Sequence, residues 1–493
     1  MFINFMISKT LYCLLESLRE EEKKRLADYI ASPFFNKDKN IIRLYDFLQK
    51  KMKQKKMQNF DKRAVAKYVF PKLETATAER KVITLFKKIE GLILGFLATL
   101  KSEENSDEQV ILLLNALNSR NIETVWKKVW QKYGAKQKRI NNNIDNFRYK
   151  YLLAQNWHEF AIFDSKLKLN TNLQDVINEF ETYYIAQMLQ YISAALNSKQ
   201  KSHLPIDLSM LSGILNRVEE RKLDAKEPLI NCYKSIVLLL QTQDKVFFDE
   251  VLLILTANTL QLAKEELIGI YTILINYCIV QYRQGQSLFG EHILTLYTQM
   301  LERDCLIKNH YLEYMHFKNI LAVALRLKKV SWAKTFVHKY ESRLNPNIRN
   351  DMKYYSEGLI FFQERKYEDA QFSFLQVNEF NFVFHLSKEV HLLRVFYLCD
   401  NPLLDSKLET FRSYLRQNKQ LTLKTRNEYS NFYKKLKQLY RIKEQYEFLK
   451  NNPPKLKRIQ KQAEKLLESL KTEESMRQKV WLYEQAQALY QKF

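Results

Sequence analysis

An all-α fold, a solenoid of helical hairpins behind an N-terminal helical cap, is what this sequence predicts, and three observations predict it. The 493 residues hold 8 glycines and 8 prolines, where average usage of about 7% would give roughly 35 glycines. Sheets, tight hairpins and phosphate-cradling loops draw on glycine for positive φ or close backbone approach, so so little glycine argues against all three. The text is instead rich in Leu, Lys, Gln, Glu and Ala, which lose little on entering a helix. Finally, from about residue 183 onward, apolar stretches of roughly 12 to 18 residues alternate with short polar breaks, as stacked helical pairs require. A chain this long exceeds one ordinary core. It divides on this reading into an N-terminal helical domain (1–100), a connecting region of long helices (101–182), an irregular hairpin solenoid (183–450) and C-terminal capping helices (451–493).

In the first domain, Leu11, Leu14, Leu15 and Leu18 share a helix face, and Leu26, Tyr29 and Ile30 continue a second helix that Pro33 stops. Asn36 or Asp38 can cap the next helix, which is expected to turn Ile41, Ile42, Leu44, Tyr45 and Leu48 inward. Phe34 and Phe35 then read as plugs of a structural elbow. A short helix ends near Pro71, and a long one carries Val82, Leu85, Phe86, Ile89, Leu92 and Phe96 at helical spacing. "KSEENSDEQ" (101–109) has the composition of a linker. Beyond it, Ile122, Trp126, Val129, Trp130 and Tyr133 repeat with helical period, as do Ile140, Ile144, Phe147 and Tyr151, and Thr171 with Gln174 forms a capping box for the helix that follows.

One unit in the repetitive part is specific. "MKYYSEGLIFFQERKYEDAQFSFLQV" places Gly358 and Ala370 where two helices must cross closely, Phe361 and Phe374 beside them, and Tyr367 just before the second helix. It resembles a tetratricopeptide repeat, departing from that pattern at Glu357, where leucine is usual, and at Phe382, where proline is. Ala333 and Leu408 occupy related positions roughly 37 and 38 residues away, somewhat more than the 34-residue repeat, and Gly285 marks the turn of a further hairpin. The "SPFFN" corner, "YYIAQMLQYISAALNSKQ" and "INYCIVQYRQG" also resemble a family of tetratricopeptide-like helical proteins common in Bacteroidetes, to which no activity is assigned. That resemblance implies the fold and a cytoplasmic location and leaves function open. In tetratricopeptide proteins, residues of the first helix line a concave partner-binding face. Here the resemblance puts Tyr355, Leu359 and Phe362 there, positions that packing against the next repeat would equally explain.

Chemistry is sparse. No Walker loop, GxGxxG, GxSxG or HExxH occurs, and the eight histidines offer no i, i+4 pair for a metal. Cys13, Cys232, Cys278, Cys305 and Cys399 are scattered without metal-ligand spacing, which fits free thiols in a reducing cytosol. The N-terminus lacks the basic region of a signal peptide, and "LIGIYTILINYCIV" falls short of the roughly 20 apolar residues that a membrane span needs. The reading is therefore non-enzymatic, without cofactor or metal.

The formal charge of +24 suggests nucleic acid, an anionic membrane face or an acidic protein or peptide as partner; spread evenly, the same charge only solubilises. Lys50, Lys51, Lys53, Lys55 and Lys56 form one basic run, and Lys424 to Lys443 interleave cations with Tyr and Phe, either for phosphate contact and base stacking or as the wet face of a packed helix. "DKRAVAKYVFPKLETATAERKVITLFKKI" resembles the helix-turn-helix half of a winged-helix domain, which would present Arg80, Lys81, Thr84, Lys87 and Lys88 to a groove, although no glycine-punctuated wing follows. Two functions emerge: an adaptor holding a peptide or protein on the concave face or, as the alternative, a nucleic-acid-binding regulator using the basic N-terminal helices.

Overall fold

The computed structural model describes residues 8–54, 62–104, 106–134, 143–163, 172–199, 205–257, 262, 264–308, 310–378, 381–473 and 475–493. It is all-helical apart from one two-residue antiparallel pair, β1 (Ile307–Lys308) with β2 (Tyr311–Leu312). Among the described residues, no helix is long and apolar enough to cross a membrane. The chain forms two compact units, one of Met1–Tyr191, Leu208–Lys234 and Leu253–Gln261, the other of Ile192–Asp207, Ser235–Leu252 and Leu262–Phe493.

The first unit opens with α1 (Lys9–Ser17), α2 (Glu20–Ala31), α3 (Lys39–Lys53), α4 (Lys62–Val69) and α5 (Thr75–Glu104). Their apolar stripes close on one core that includes Leu11, Leu15, Leu26, Leu44, Val65, Val82, Ile89 and Phe96. Ile42 lies outside it, 38% exposed, because at 100° per residue it falls off the stripe that Ile41, Tyr45 and Leu48 share. The corner between α2 and α3 also differs from expectation. Phe34 and Phe35 are 87% and 42% exposed and therefore plug nothing. Phe35 stacks on Tyr29 and Phe34 sits edge-on to Phe35. Asn36 is the buried residue here, its amide donating to the carbonyls of Ile30 (2.9 Å) and Asp38 (3.2 Å). Asp38 caps α3 by accepting from Asn40 N at 3.0 Å. Two polar side chains thus satisfy the backbone that Pro33 interrupts.

Nor is 101–109 a linker: α5 continues to Glu104 and α6 (Ser106–Asn118) begins two residues later. A second core gathers Val110, Ile111, Leu114, Trp126, Leu153 and Phe160 from α6, α7 (Glu123–Val129) and α8 (Ile144–Phe163). Trp126 stacks between Trp130 and Phe160, and Trp130–Gly134 is a π-helical turn in which a Cβ at Gly134 would lie 2.7 Å from the Trp130 ring. Ile140 and Thr171 lie outside the described residues. Three helices contribute residues to both units: α9 (Leu173–Lys199), α12 (Pro228–Thr242) and α13 (Lys245–Thr256), with α10 (Leu211–Arg221) and α11 (Leu223–Lys226) in the first.

The second unit continues with α14 (Lys264–Arg283), α15 (Leu288–Glu302), α16 (Tyr314–Arg326), α17 (Val330–Tyr340), α18 (Pro346–Gln363), α19 (Tyr367–Leu375), α20 (Phe382–Leu398), α21 (Leu404–Gln417), α22 (Leu423–Leu449), α23 (Pro453–Thr472) and α24 (Lys479–Tyr490). Four hairpins, α14–α15, α16–α17, α18–α19 and α20–α21, turn in the same way. Each has one residue of positive φ, in order Gly285, Lys328, Arg365 and Asp400. The amide after it reaches back to a carbonyl five residues earlier: Gln286 to Gln281, Lys329 to Ala324, Lys366 to Phe361 and Asn401 to Phe396. This closure satisfies the orphan carbonyls of the first helix and starts the second within a few residues. Sequence pointed only to Gly285, since Lys and Arg carry no local signal for a left-handed turn and Asp only a weak one.

Within α18–α19, a Cβ at Gly358 would lie 2.7 Å from a Phe374 ring carbon, so glycine is what lets the Phe374 ring cross there. Ala370 and Phe374 are fully buried, as are Ala333 and Leu408 in their own hairpins, while Phe361 and Tyr367 are only partly covered. The first helices of successive hairpins also touch, α16 against α18 and α18 against α20.

Candidate functional site

Of the three residues expected on a partner-binding face, Tyr355 and Leu359 are not available to one. Tyr355 is 2% exposed and packs against Phe374, Phe384 and His391. Leu359 is also buried. Their helix turns them into the seam with α20 because α18 contacts α20 as well as its own partner α19. Phe362, one turn further along, stays partly exposed, and it leads to a cluster of cations.

Along α20, Ser387, His391 and Arg394 lie on one face at i, i+4 and i+7, spanning roughly 10 Å of helix. The Lys318 ammonium of α16 donates to the Ser387 hydroxyl at 2.9 Å. The Arg394 guanidinium sits 4.3 Å from the Phe362 ring centroid and 4.9 Å from that of Trp481 in α24, and Arg394 Nη1 lies 3.2 Å from His391 Nδ1. Arginine has only donors, so Nδ1 accepts and the imidazole carries its proton on Nε2.

Burial pushes the Arg394 guanidinium down to about 9, with Glu484 the main opposing influence. Burial first, then the charges of Arg394 and Lys318, hold His391 well below the ordinary imidazole range. Burial and then the Arg477 charge lower Lys318. The Tyr355 hydroxyl is pushed up chiefly by burial. Sequence reasoning passed over this cluster; the available signal was a polar stripe at Ser387, His391 and Arg394 inside otherwise apolar text.

A second feature is a cavity of about 230 Å³ between α14, α15 and α16, with Tyr282, Tyr297, Asn319, Arg283 and Arg326 in its lining. Both arginines are exposed, neither has an ion-pair partner among the described residues, and Arg326 lies over the Tyr282 ring at 6.0 Å. Gly290 allows this shape, since a Cβ there would meet Leu327 and Tyr282 at 2.7 and 2.9 Å.

The basic residues singled out near the N-terminus fare differently. Lys50 is tied to Asp46 (2.8 Å) and to the Tyr68 hydroxyl (2.7 Å), Lys51 lies over the Phe47 ring, and Lys53 ends α3. Lys55 and Lys56 lie outside the described residues. Arg80, Lys81, Thr84, Lys87 and Lys88 are all exposed along α5, Lys81 over Phe70 at 6.0 Å and Lys88 3.4 Å from Asp38. In the Lys424–Lys443 segment, Phe432 and Tyr433 are core residues, while Lys437 pairs with Glu409 and Lys443 with Asp400, so packing accounts for that aromatic-basic text. Among the described residues no group of His, Cys, Asp and Glu could hold a metal ion.

These observations define an all-helical protein with buried and exposed cations gathered on helical hairpins. Compared with known proteins, the chain matches no family model, no curated protein and no solved structure.

Proposed function

We propose that this protein is a non-enzymatic adaptor whose helical hairpins stack as an irregular tetratricopeptide-like solenoid and hold an acidic segment of a partner protein. The observation that carries the reading is the cavity between α14, α15 and α16. It combines apolar and tyrosine walls with Arg283 and Arg326, neither of them ion-paired among the described residues, and that combination suits an apolar anchor beside an acidic residue. The repeated turn and the contact between successive first helices support the solenoid. To test the reading, a peptide-display library is panned on the full chain and on the Arg283→Glu/Arg326→Glu variant. A set of peptides enriched by the wild type and lost in the variant is expected, and that set should carry Asp or Glu; the same peptides selected by both would overturn it.

The alternative, a nucleic-acid-binding regulator, has one observation in its favour: Arg80, Lys81, Thr84, Lys87 and Lys88 are exposed together on α5. Fluorescence anisotropy with a duplex and a single-stranded oligonucleotide decides it. Phosphate contacts would weaken binding steeply with salt, by about 0.9 in log–log slope for each phosphate neutralised on a duplex, and no binding at low salt would dispose of it.

A further inference from the structure

The Arg394 site departs from how its own helix treats the other buried charges. On the same helix, Glu389 lies 2.9 Å from Lys407 and 3.7 Å from Lys388, so neighbouring buried ions compensate one another. Arg394 is 9% exposed, its Nε has no hydrogen-bond partner, and its contact with His391 Nδ1 is its only hydrogen bond among the described residues. No carboxylate among them lies within ion-pair distance, and Glu484 favours the charge only from further off. A guanidinium has five N–H donors in one plane. Phe362 and Trp481, both close to it, hold that group by cation–π attraction and leave donors unused. A carboxylate is the partner that such a planar fork receives in two parallel hydrogen bonds.

We propose that Arg394 is the receptor for a carboxylate on a bound peptide, with the His391 Nε2–H and the Lys318 ammonium as flanking donors. The assignment rests on the adaptor reading but not on the cavity between α14, α15 and α16. The carboxylate is either the C-terminus of the peptide or an Asp or Glu side chain. The same fork would also receive a phosphate, so a phosphoserine peptide is the competing outcome of the test.

The test uses the full chain and short N-acetylated peptides of three kinds: a free C-terminus with no acidic side chain, an amidated peptide with one Glu, and an amidated peptide with one phosphoserine. The readout is the arginine Nε–Hε NMR signal of Arg394, assigned with Arg394→Lys. A saturable shift with the first or the second peptide is expected, and which of the two responds identifies the source of the carboxylate. Arg394→Met should weaken binding by about tenfold or more, as loss of a charged hydrogen bond does, with unchanged circular dichroism, and Arg394→Lys should fall between. A stronger response to phosphoserine, no shift with any peptide, or equal affinity of Arg394→Met would overturn the proposal. The Arg283→Glu/Arg326→Glu variant should retain the Arg394 signal. Failure of the display experiment with that signal intact removes the cavity alone; loss of the signal with display intact removes Arg394 alone.

Discussion

The cations of α5 and those facing α20 are the same side chains in opposite settings. On α5, Arg80, Lys81 and Lys87 stand in water, where charge is screened within about 8–10 Å and costs the fold almost nothing. At α20, Arg394 is nearly enclosed between two rings with one hydrogen bond among the described residues, a setting in which an unpaired charge is expensive. The contrast shows why a net charge of +24 points to no site by itself. A solvated cation needs no further explanation, whereas a buried cation without its counter-ion is a stability cost that a ligand can relieve.

The comparison can be broken or sharpened at several points. The largest effect is expected where the α18–α19 hairpin is emptied: Phe374→Ala should cost about 3–5 kcal/mol, read by chemical denaturation. Exchanging the arginines addresses the contrast directly. Arg394→Met should leave thermal stability unchanged or raise it by about 1–4 kcal/mol, as replacing a buried charge by an apolar side chain often does, whereas Arg80→Met should stay within about 0.5 kcal/mol. Marked destabilisation by Arg394→Met would mean that the charge serves the fold instead.

The glycines of the two regions should respond with opposite sign. Gly358→Ala forces a Cβ against Phe374 and should cost about 1–3 kcal/mol. Gly91→Ala, with nothing within 4 Å in α5, should gain about 1 kcal/mol from helix propensity. The corners differ likewise. Asp38→Ala removes a side-chain cap and should cost about 1 kcal/mol, while Lys328→Gly relieves a left-handed residue and should gain up to about 1 kcal/mol. Thermal melts of the four variants decide these signs.

The smallest effect is a titration. Hydrogen bonds from Lys437, then Tyr433, lower the Glu409 carboxyl to about 2. Because the folded value lies below the unfolded one, this pair favours the native state above the ordinary glutamate range, and its contribution is lost as pH falls towards about 2. A carboxylate-detected NMR titration should place its midpoint well below the ordinary glutamate range.

Much of the fold was legible in the residues because helical periodicity is local. Leu11, Leu15, Val82 and Ile89 announce their faces within two turns, and Gly358 with Ala370 and Phe374 announces a close crossing within one hairpin. The candidate site was legible only at Phe362. Tyr355 and Leu359 share its helix, but which side of a helix meets a neighbour and which meets water is settled by elements that pack from far along the chain.

What the sequence determined by itself is the all-helical class, the positions of most helices and the close packing of α18 on α19, since each follows from propensity, period or a small residue within a short span. Tertiary structure alone decided that Phe34 is exposed, that Lys328, Arg365 and Asp400 take left-handed turns, and that Arg394 is enclosed by Phe362 and Trp481 with no carboxylate paired to it among the described residues. For Phe34 and Arg394 the physical reason is the same. Burial and charge compensation are properties of surroundings assembled from distant segments, and no window of neighbouring residues contains them.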